Sequence, residues 1–249
     1  ATTGARNDVW KSADGINWTQ VTANAPWPVR YSHTMFVFDD GTGPSLWIIG
    51  GENSSGKLGD IWKSNTTGTS WTQVNPSGNV FSARSGHASV TGVVGNRMWV
   101  IGGRTSSGSL SNEVWNSLDG INWVQHIPTS STMFTPRTDL GATTQGQKLW
   151  VMGGKDISGA RNDIWWTDAT SGGTFWTQVV PTGASWSPRS NMQLVNYSNA
   201  GGYPGVDLWI FGGKDNSGNL LNDVWFSNTG ATTWQQLPNA PWSPRDGHQ

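Results

Sequence analysis

The most regular hydrophobic pattern in the chain is a short apolar run that ends in two glycines. It occurs four times, with glycine pairs that end at Gly51, Gly103, Gly154 and Gly213. The residues before each pair are apolar at consecutive positions, as in Leu-Trp-Ile-Ile, whereas a strand with one face in water alternates apolar and polar residues. We therefore expect strands covered on both faces, with glycines at tight bends where another backbone segment comes close.

Three further features recur in the same register, at a spacing of about 50 to 60 residues that indicates an internal structural repeat. A tryptophan follows Val or Ile at Trp10, Trp62, Trp115, Trp165 and Trp225. A second tryptophan follows at Trp18, Trp71, Trp123, Trp176 and Trp234. An arginine ends each next connection, at Arg30, Arg84, Arg137, Arg189 and Arg245.

Each repeat predicts four short strands. The first strand follows the arginine, as in Ser32 to Phe38, and the second is the apolar run before the glycine pair. The third strand contains the Asp-Val-Trp type of segment, and the fourth begins at the second tryptophan, as in Trp71 to Val74. Turn signals between the third and fourth strands predict antiparallel neighbours. These turns are Asp14-Gly15, Asp119-Gly120, Gly172-Gly173 and Thr229-Gly230.

The order of these features resembles the Kelch repeat of β-propellers: a glycine pair, then Asn-Asp-Val-Trp, as at Asn222 to Trp225, then a second tryptophan. The resemblance covers essentially the whole chain, although Trp replaces the Tyr that often stands in the third strand. It implies an all-β fold, a β-propeller of four-stranded antiparallel Kelch blades. The repeats look like bacterial-type extracellular Kelch repeats, with a distant similarity to the central domain of galactose oxidase and to sialidase-type propellers.

The repeat predicts a single domain over 1–249. The units are a partial one at 1–29, complete ones at about 30–83, 84–136, 137–188 and 189–244, and the start of another at 245–249. The split partial fifth unit lacks the apolar second strand, and its loss would leave apolar surface and unpaired backbone groups exposed. We therefore predict an ordered portion of a larger six- or seven-bladed ring. The alternatives are a five-bladed ring with one incomplete blade, or self-association in which a neighbouring molecule's strand fills the gap.

Composition and charge narrow the classes of partner. The chain has 33 Gly, 12 Pro and 18 Trp with only 12% charged residues, which is typical of a turn-rich β protein. Its formal net charge is -1 and it has no run of Lys or Arg, so we expect neither nucleic-acid binding nor membrane insertion. It has no Cys and therefore no thiolate metal site, and no cofactor is expected. The few lysines and the Ser-, Thr- and Asn-rich loops favour a secreted or cell-surface protein.

The segments after the glycine pairs differ most between repeats, and propellers place their specificity in loops of this kind. The expected binding residues in these loops are Glu52, Arg104, Lys155, Asp156, Lys214 and Asp215. Solvated loops without a ligand are the simpler alternative.

The recurring arginines are a second candidate set, because guanidinium groups beside aromatic residues can bind a carboxylate or stack on a sugar. Each follows an aromatic residue at Trp27, Phe81, Phe134, Trp186 or Trp242. A residue present in every blade usually has a structural task that every blade needs, so pinning of loop carbonyls is the favoured role. Three residues after the arginine lie His33, His87 and His248, but Leu140 and Met192 occupy the same position elsewhere, which favours packing over metal binding.

Two functional classes remain. The copper site of the galactose-oxidase type needs a Cys-linked Tyr, and this chain has no Cys and only Tyr31, Tyr197 and Tyr203. The carboxylates Asp39, Asp40, Glu52, Asp139, Asp156 and Asp215 show no spacing that pairs them for glycoside hydrolysis. We therefore predict a non-catalytic binding or scaffolding module that recognises a protein or glycan through loops on one face. The alternative is a carbohydrate-active enzyme, sialidase- or glycosidase-like, on a propeller scaffold.

Overall fold

The computed structural model describes residues 4–92, 95–129, 132–168, 173–197 and 207–248. Throughout these residues the regular secondary structure is β-strand, and no helix occurs in them, which confirms the all-β prediction. Gly172 and Tyr203, which the sequence analysis singled out, lie outside the described residues.

The first complete sheet has four antiparallel strands, each paired with the next of the four along the chain. Its strands are β3 (Thr34–Asp39), β4 (Pro44–Ile49), β7 (Ile61–Asn65) and β8 (Trp71–Val74), and a small hairpin of β5 (Glu52–Asn53) and β6 (Gly56–Lys57) extends from it. The third complete sheet has the same form. Its strands are β14 (Gly141–Gln145), β15 (Lys148–Met152), β18 (Ile164–Asp168) and β19 (Thr177–Val179), with a hairpin of β16 (Lys155–Asp156) and β17 (Gly159–Ala160).

The second and fourth complete sheets each gain a short fifth strand, because their apolar strand continues through the glycine pair. The second sheet contains β9 (Arg84–Ser85), β10 (Ala88–Gly92), β11 (Arg97–Thr105), β12 (Leu110–Ser117) and β13 (Trp123–His126). The fourth contains β20 (Arg189–Ser190), β21 (Gln193–Tyr197), β22 (Asp207–Asp215), β23 (Leu220–Ser227) and β24 (Gln235–Leu237). In both sheets the pairing register shifts at the glycines, between Ile101 and Gly103 and between Phe211 and Gly213.

A partial sheet precedes the four complete ones. It pairs β1 (Val9–Lys11) with β2 (Thr19–Thr22), which correspond to the third and fourth strands of a complete unit. Trp10 and Trp18 are largely exposed, whereas their equivalents Trp62 and Trp71 in the first sheet are half-buried and buried.

Hydrophobic clusters lie between consecutive sheets. In β11 the side chains alternate between two of them: Met98 and Val100 join the cluster shared with the first sheet, and Trp99 and Ile101 join the cluster shared with the third. Every second-strand residue from Met98 to Ile101 is fully buried as a result. The sheets therefore stack face to face, as blades of a β-propeller do, and the consecutive apolar pattern has the predicted cause.

The innermost strands of all four sheets begin around one central cavity of about 560 Å³. No described helix is long and apolar enough to cross a lipid bilayer.

Candidate functional site: the mouth of the central cavity

The recurring arginines hold the framework around this cavity. Arg137 has no exposed surface; its Nη1 donates to the carbonyl of Gly153 at 2.8 Å and to Asp163 Oδ1 at 2.5 Å, and its Nη2 donates to Asp163 Oδ2 at 2.8 Å. The indole of Trp165 donates to the same carboxylate at 2.8 Å. The same arginine, glycine carbonyl and carboxylate recur at Arg30 with Gly50 and Asp60, Arg84 with Gly102 and Glu113, and Arg189 with Gly212 and Asp223.

These carboxylates are held ionised by their arginines. Burial alone would raise the pKa of Asp163, but the hydrogen bonds and charge of Arg137 outweigh it and leave the pKa below its usual value. The guanidinium groups of Arg30, Arg84, Arg137 and Arg189 are thus buried in contacts within their own sheets. Arg245 is exposed and donates to the carbonyl and hydroxyl of Ser243.

The glycine pairs allow close approach both within a sheet and between neighbouring sheets. At Gly103, with a φ of +96°, an added Cβ would lie 2.9 Å from both His87 Cβ and the Ser85 carbonyl oxygen. At Gly50 it would lie 2.8 Å from the carbonyl oxygen of Arg84 in the next sheet. No other residue type fits at such positions without displacing backbone.

Two residues after each arginine, a residue in the left-handed backbone conformation forms an inner ring around the cavity. The ring consists of Ser32 (φ 51°), Gly86 (φ 60°), Asp139 (φ 57°), Asn191 (φ 53°) and Gly247 (φ 63°). The amide of each residue from Gly86 onward donates to the carbonyl of the ring residue before it, at 2.7 to 3.0 Å. These hydrogen bonds tie each sheet to the next at the edge of the cavity.

The loops after the glycine pairs, here called the mouth loops, are residues 52–57, 104–109, 155–160 and 214–219. Those of the third and fourth sheets border a second cavity of about 220 Å³, which shares Asp139 and Asn191 with the central one. Lys155, Lys214 and Asp215 line this second cavity, so the structure brings three of the six predicted loop residues together. The mouth loops of the third and fourth sheets therefore lie beside the rim of the central cavity, where the two cavities meet at Asp139 and Asn191.

The other three loop residues are placed differently. Glu52 forms an ion pair with Lys57 inside its own hairpin. Arg104 is exposed and donates to the carbonyl of Gly108 at 2.8 Å. Asp156 is buried, where it accepts hydrogen bonds from Thr135 at 2.8 Å and Arg161 Nε at 2.6 Å.

Sequence reasoning did not select two residues of this site as ligand contacts, Asp139 and Asp246. Asp139 lies in the inner ring and both acids line the second cavity. Burial raises the pKa of Asp139, and the negative charge of Asp246 acts in the same direction, while Thr138, Arg104 and Lys155 oppose it. The sequence does contain a signal for the inner ring: the residue two positions after each recurring arginine is Ser, Gly, Asp or Asn. Gly, Asp and Asn adopt left-handed backbone more readily than other residues.

Comparison with known proteins places these features in a family context. The model of the KLHDC2/KLHL20/DRC7 Kelch-repeats domain matches residues 3–116 and 32–248. The chain is 28% identical over 254 residues to the flagellar outer arm dynein alpha chain of Chlamydomonas reinhardtii, which covers 94% of this chain and 5% of that protein. It is 23% identical over 248 residues to the leucine-zipper-like transcriptional regulator 1 homolog of Drosophila melanogaster, covering 92% of this chain and 24% of that protein.

Human host cell factor 2 is a third relative, 25% identical over 240 residues that cover 89% of this chain and 29% of that protein. The chain thus spans less than a third of each of these three relatives. The prediction of a secreted or cell-surface protein is wrong, because the dynein chain, the transcriptional regulator homolog and host cell factor are intracellular proteins. The abundant Ser and Asn residues, on which that prediction was based, stabilise turns: the side chains of Ser117 and Asn122 both donate hydrogen bonds to Asp119.

Proposed function

Because the chain belongs to the Kelch-repeat family, we propose that it is a non-catalytic module that binds a protein partner at the mouth of the central cavity. The family is generally a non-enzymatic protein-interaction module. Its relatives carry the repeat as a small part of much longer proteins, which fits a domain that supplies recognition.

The proposal rests on the exposure of Lys155 and Lys214 and on their lack of ion-pair partners among the described residues. They occupy equivalent positions in consecutive sheets, directly after the glycine pair, and both are exposed beside a concave surface. In the part of the chain that the structure describes, neither ammonium group has an ion-pair partner. Charged groups presented in this way favour recognition of a partner and add little to stability.

Two carboxylates of the mouth loops, Asp156 and Asp215, lack the properties of a glycosidase acid. Asp156 is buried against Arg161 and Thr135. Asp215 accepts hydrogen bonds from the amides of Ser217 and Asn219 and from the Asn219 side chain, which lower its pKa. A general acid needs a raised pKa and access to the scissile bond, and neither residue combines these properties.

The test compares two double variants with the same loss of charge. Lys155→Ala/Lys214→Ala removes both mouth lysines, and Lys11→Ala/Lys63→Ala removes two lysines at equivalent positions of third strands. Lys63 donates to Asp40 at 2.7 Å, at the end of the first sheet opposite the glycine pair. The wild-type chain and both variants are used to probe a random peptide library and a glycan array, and dissociation constants of the selected ligands are measured by fluorescence anisotropy.

We expect peptide ligands whose dissociation constants rise at least tenfold in the mouth variant and stay unchanged in the control. Peptides that bind both variants equally would contradict a binding face at the mouth. Selection of glycans alone, lost in the mouth variant, would keep the face but replace the protein partner by a carbohydrate.

A further inference from the structure

The second cavity is lined by charges of both signs that come from different sheets. Lys155 lies in the hairpin of the third sheet, and Asp139 lies just before the first strand of that sheet. Lys214 lies in the fourth sheet, and Asp246 follows the last strand of the fourth sheet. The volume of about 220 Å³ holds the ends of one or two side chains. A ligand that enters here must satisfy both cations and anions.

Two other polar residues of the cavity are already satisfied by the protein. Asp215 holds its own turn, through the hydrogen bonds described above. Asn216 bridges to the third sheet, because its Oδ1 accepts from the amide of Ala160 at 2.5 Å and its Nδ2 donates to the Ala160 carbonyl at 3.3 Å. These contacts hold Asp215 and Asn216 in place within the protein. The charged residues of the cavity that can contact a ligand are therefore the other four, Asp139, Lys155, Lys214 and Asp246.

The two lysines project from fixed backbone. Lys155 and Thr138 exchange backbone hydrogen bonds at 2.8 and 3.0 Å, and Lys214 pairs with Ser190 on one side and Leu220 on the other. Less conformational freedom is lost when a ligand binds to groups on a rigid support. Both lysine side chains therefore extend from ordered backbone on neighbouring loops that line the same cavity.

The two acids are prepared for a cationic group. The backbone of Asp139 is fixed by the inner ring, where its amide donates to Gly86 at 2.7 Å and its carbonyl accepts from Asn191 at 2.9 Å. Burial and the negative charge of Asp246 raise the pKa of Asp139, and they outweigh the opposite effects of Thr138, Arg104 and Lys155. A bound cation would relieve both effects, since an opposite charge favours the ionised carboxylate.

We propose that this cavity, as part of the binding face put forward above, takes a peptide segment that carries one basic and one acidic side chain close together. The basic side chain lies against Asp139 and Asp246, and the acidic one lies against Lys155 and Lys214. A segment with acidic side chains only would meet the two aspartates, and a segment with basic side chains only would meet the two lysines. Like charges brought together in one cavity disfavour binding and so provide specificity.

The experiment extends the peptide selection with one more variant, Asp139→Asn/Asp246→Asn. Asparagine keeps the left-handed backbone at position 139, because Asn191 occupies the equivalent ring position with a φ of 53°. We expect the wild-type chain to enrich peptides with a basic and an acidic residue within three positions of each other. The aspartate variant loses the selection for the basic residue, and Lys155→Ala/Lys214→Ala loses the selection for the acidic one.

One enriched peptide is then synthesised with its basic residue, its acidic residue or both replaced by glutamine. Each single replacement is expected to weaken binding to the wild-type chain at least tenfold, and the basic replacement is expected to have little effect on the aspartate variant. Enrichment of purely acidic peptides that depend on the mouth lysines would overturn this inference and leave the proposed function standing. Enrichment that is the same on the lysine variant would overturn both.

Discussion

Arg137 and Lys155 are both cations next to the same glycine pair, yet their charges have opposite surroundings. The guanidinium of Arg137 is fully buried and bonded to Gly153 and Asp163, whereas the side chain of Lys155 is exposed beside a cavity. The arginine recurs with the same partners in every complete sheet, and the residue at the lysine position changes from Glu52 to Arg104 to Lys. The charged residue that recurs in every complete sheet thus stabilises the fold, and the charged residue that differs between sheets is available for binding a partner.

The largest expected effect of breaking this contrast is loss of stability in Arg137→Ala. The substitution leaves the Gly153 carbonyl without its donor and Asp163 without its counter-ion in a partly buried site. Removing one partner of such a pair costs about 3–5 kcal/mol in the free energy of unfolding. Urea unfolding of the variant measures this loss, and Arg104→Ala is the control, with an expected change within about 0.5 kcal/mol. Equal effects of both substitutions would refute the division into framework and recognition cations.

The next largest loss of stability is expected at Gly103, and comparison with Gly108 distinguishes steric overlap from backbone strain. Gly103→Ala places a Cβ 2.9 Å from His87 Cβ and the Ser85 carbonyl oxygen, and Gly108→Ala has a similar φ of +84° with nothing within 4 Å. We expect a loss of about 3 kcal/mol for Gly103→Ala and about 1 kcal/mol for Gly108→Ala, since only the first adds steric overlap to the strain. Thermal and urea unfolding give both values, and similar losses would mean that the strands around Gly103 in the second sheet can move apart at little cost.

A smaller effect concerns pH, through a histidine between the sheets. Burial lowers the pKa of His87 from 6.5 to about 3, and the charges of Arg84 and His33 add to this. The unfolded chain takes up a proton near pH 6.5 and the folded chain does not until far lower pH, so stability falls as the pH drops from about 6.5. The loss attributable to His87 reaches about 2 kcal/mol by pH 5.

His87→Met isolates this contribution, because Met192 fills the equivalent position in the fourth sheet. The difference in unfolding free energy between pH 7 and pH 5 is expected to shrink by about 2 kcal/mol in the variant. If the two proteins respond to pH in the same way, the pKa of His87 is not lowered in the folded chain, and water reaches this histidine between the first and second sheets.

The smallest expected effect is on stability at the mouth itself. Lys155→Ala and Lys214→Ala are each expected to change the free energy of unfolding by less than about 0.5 kcal/mol, because exposed charges without partners contribute little. Urea midpoints measured beside those of Lys63→Ala provide the comparison. A loss of more than about 1 kcal/mol would show that a mouth lysine belongs to the framework after all.

Much of the blade structure could be predicted because its signals are local. The fourth strand of the first sheet begins at Trp71 and ends at Val74, as expected. The first strand begins at Thr34, two residues later than expected, because Ser32 adopts left-handed backbone and hydrogen-bonds to Gly86 of the next sheet. The unit boundaries and the ring size stay predictions.

The candidate site was harder to predict because identical local sequence has different outcomes. Asp156 and Asp215 both follow Gly-Gly-Lys, but Arg161 draws the first into a buried ion pair, and Asn219 helps the second to hold its own turn. Residues several positions away therefore decide which of two equal acids remains at the surface.

The sequence by itself determined the all-β class, the four-strand repeat and the doubly covered apolar strand, because hydrophobic periodicity and glycine bends depend on near neighbours in the chain. Tertiary structure alone decided which charges are buried and which meet in a cavity. Asp139, Lys155, Lys214 and Asp246 are far apart in the sequence, and only the stacking of the third and fourth sheets and the inner ring of hydrogen bonds bring them to one opening.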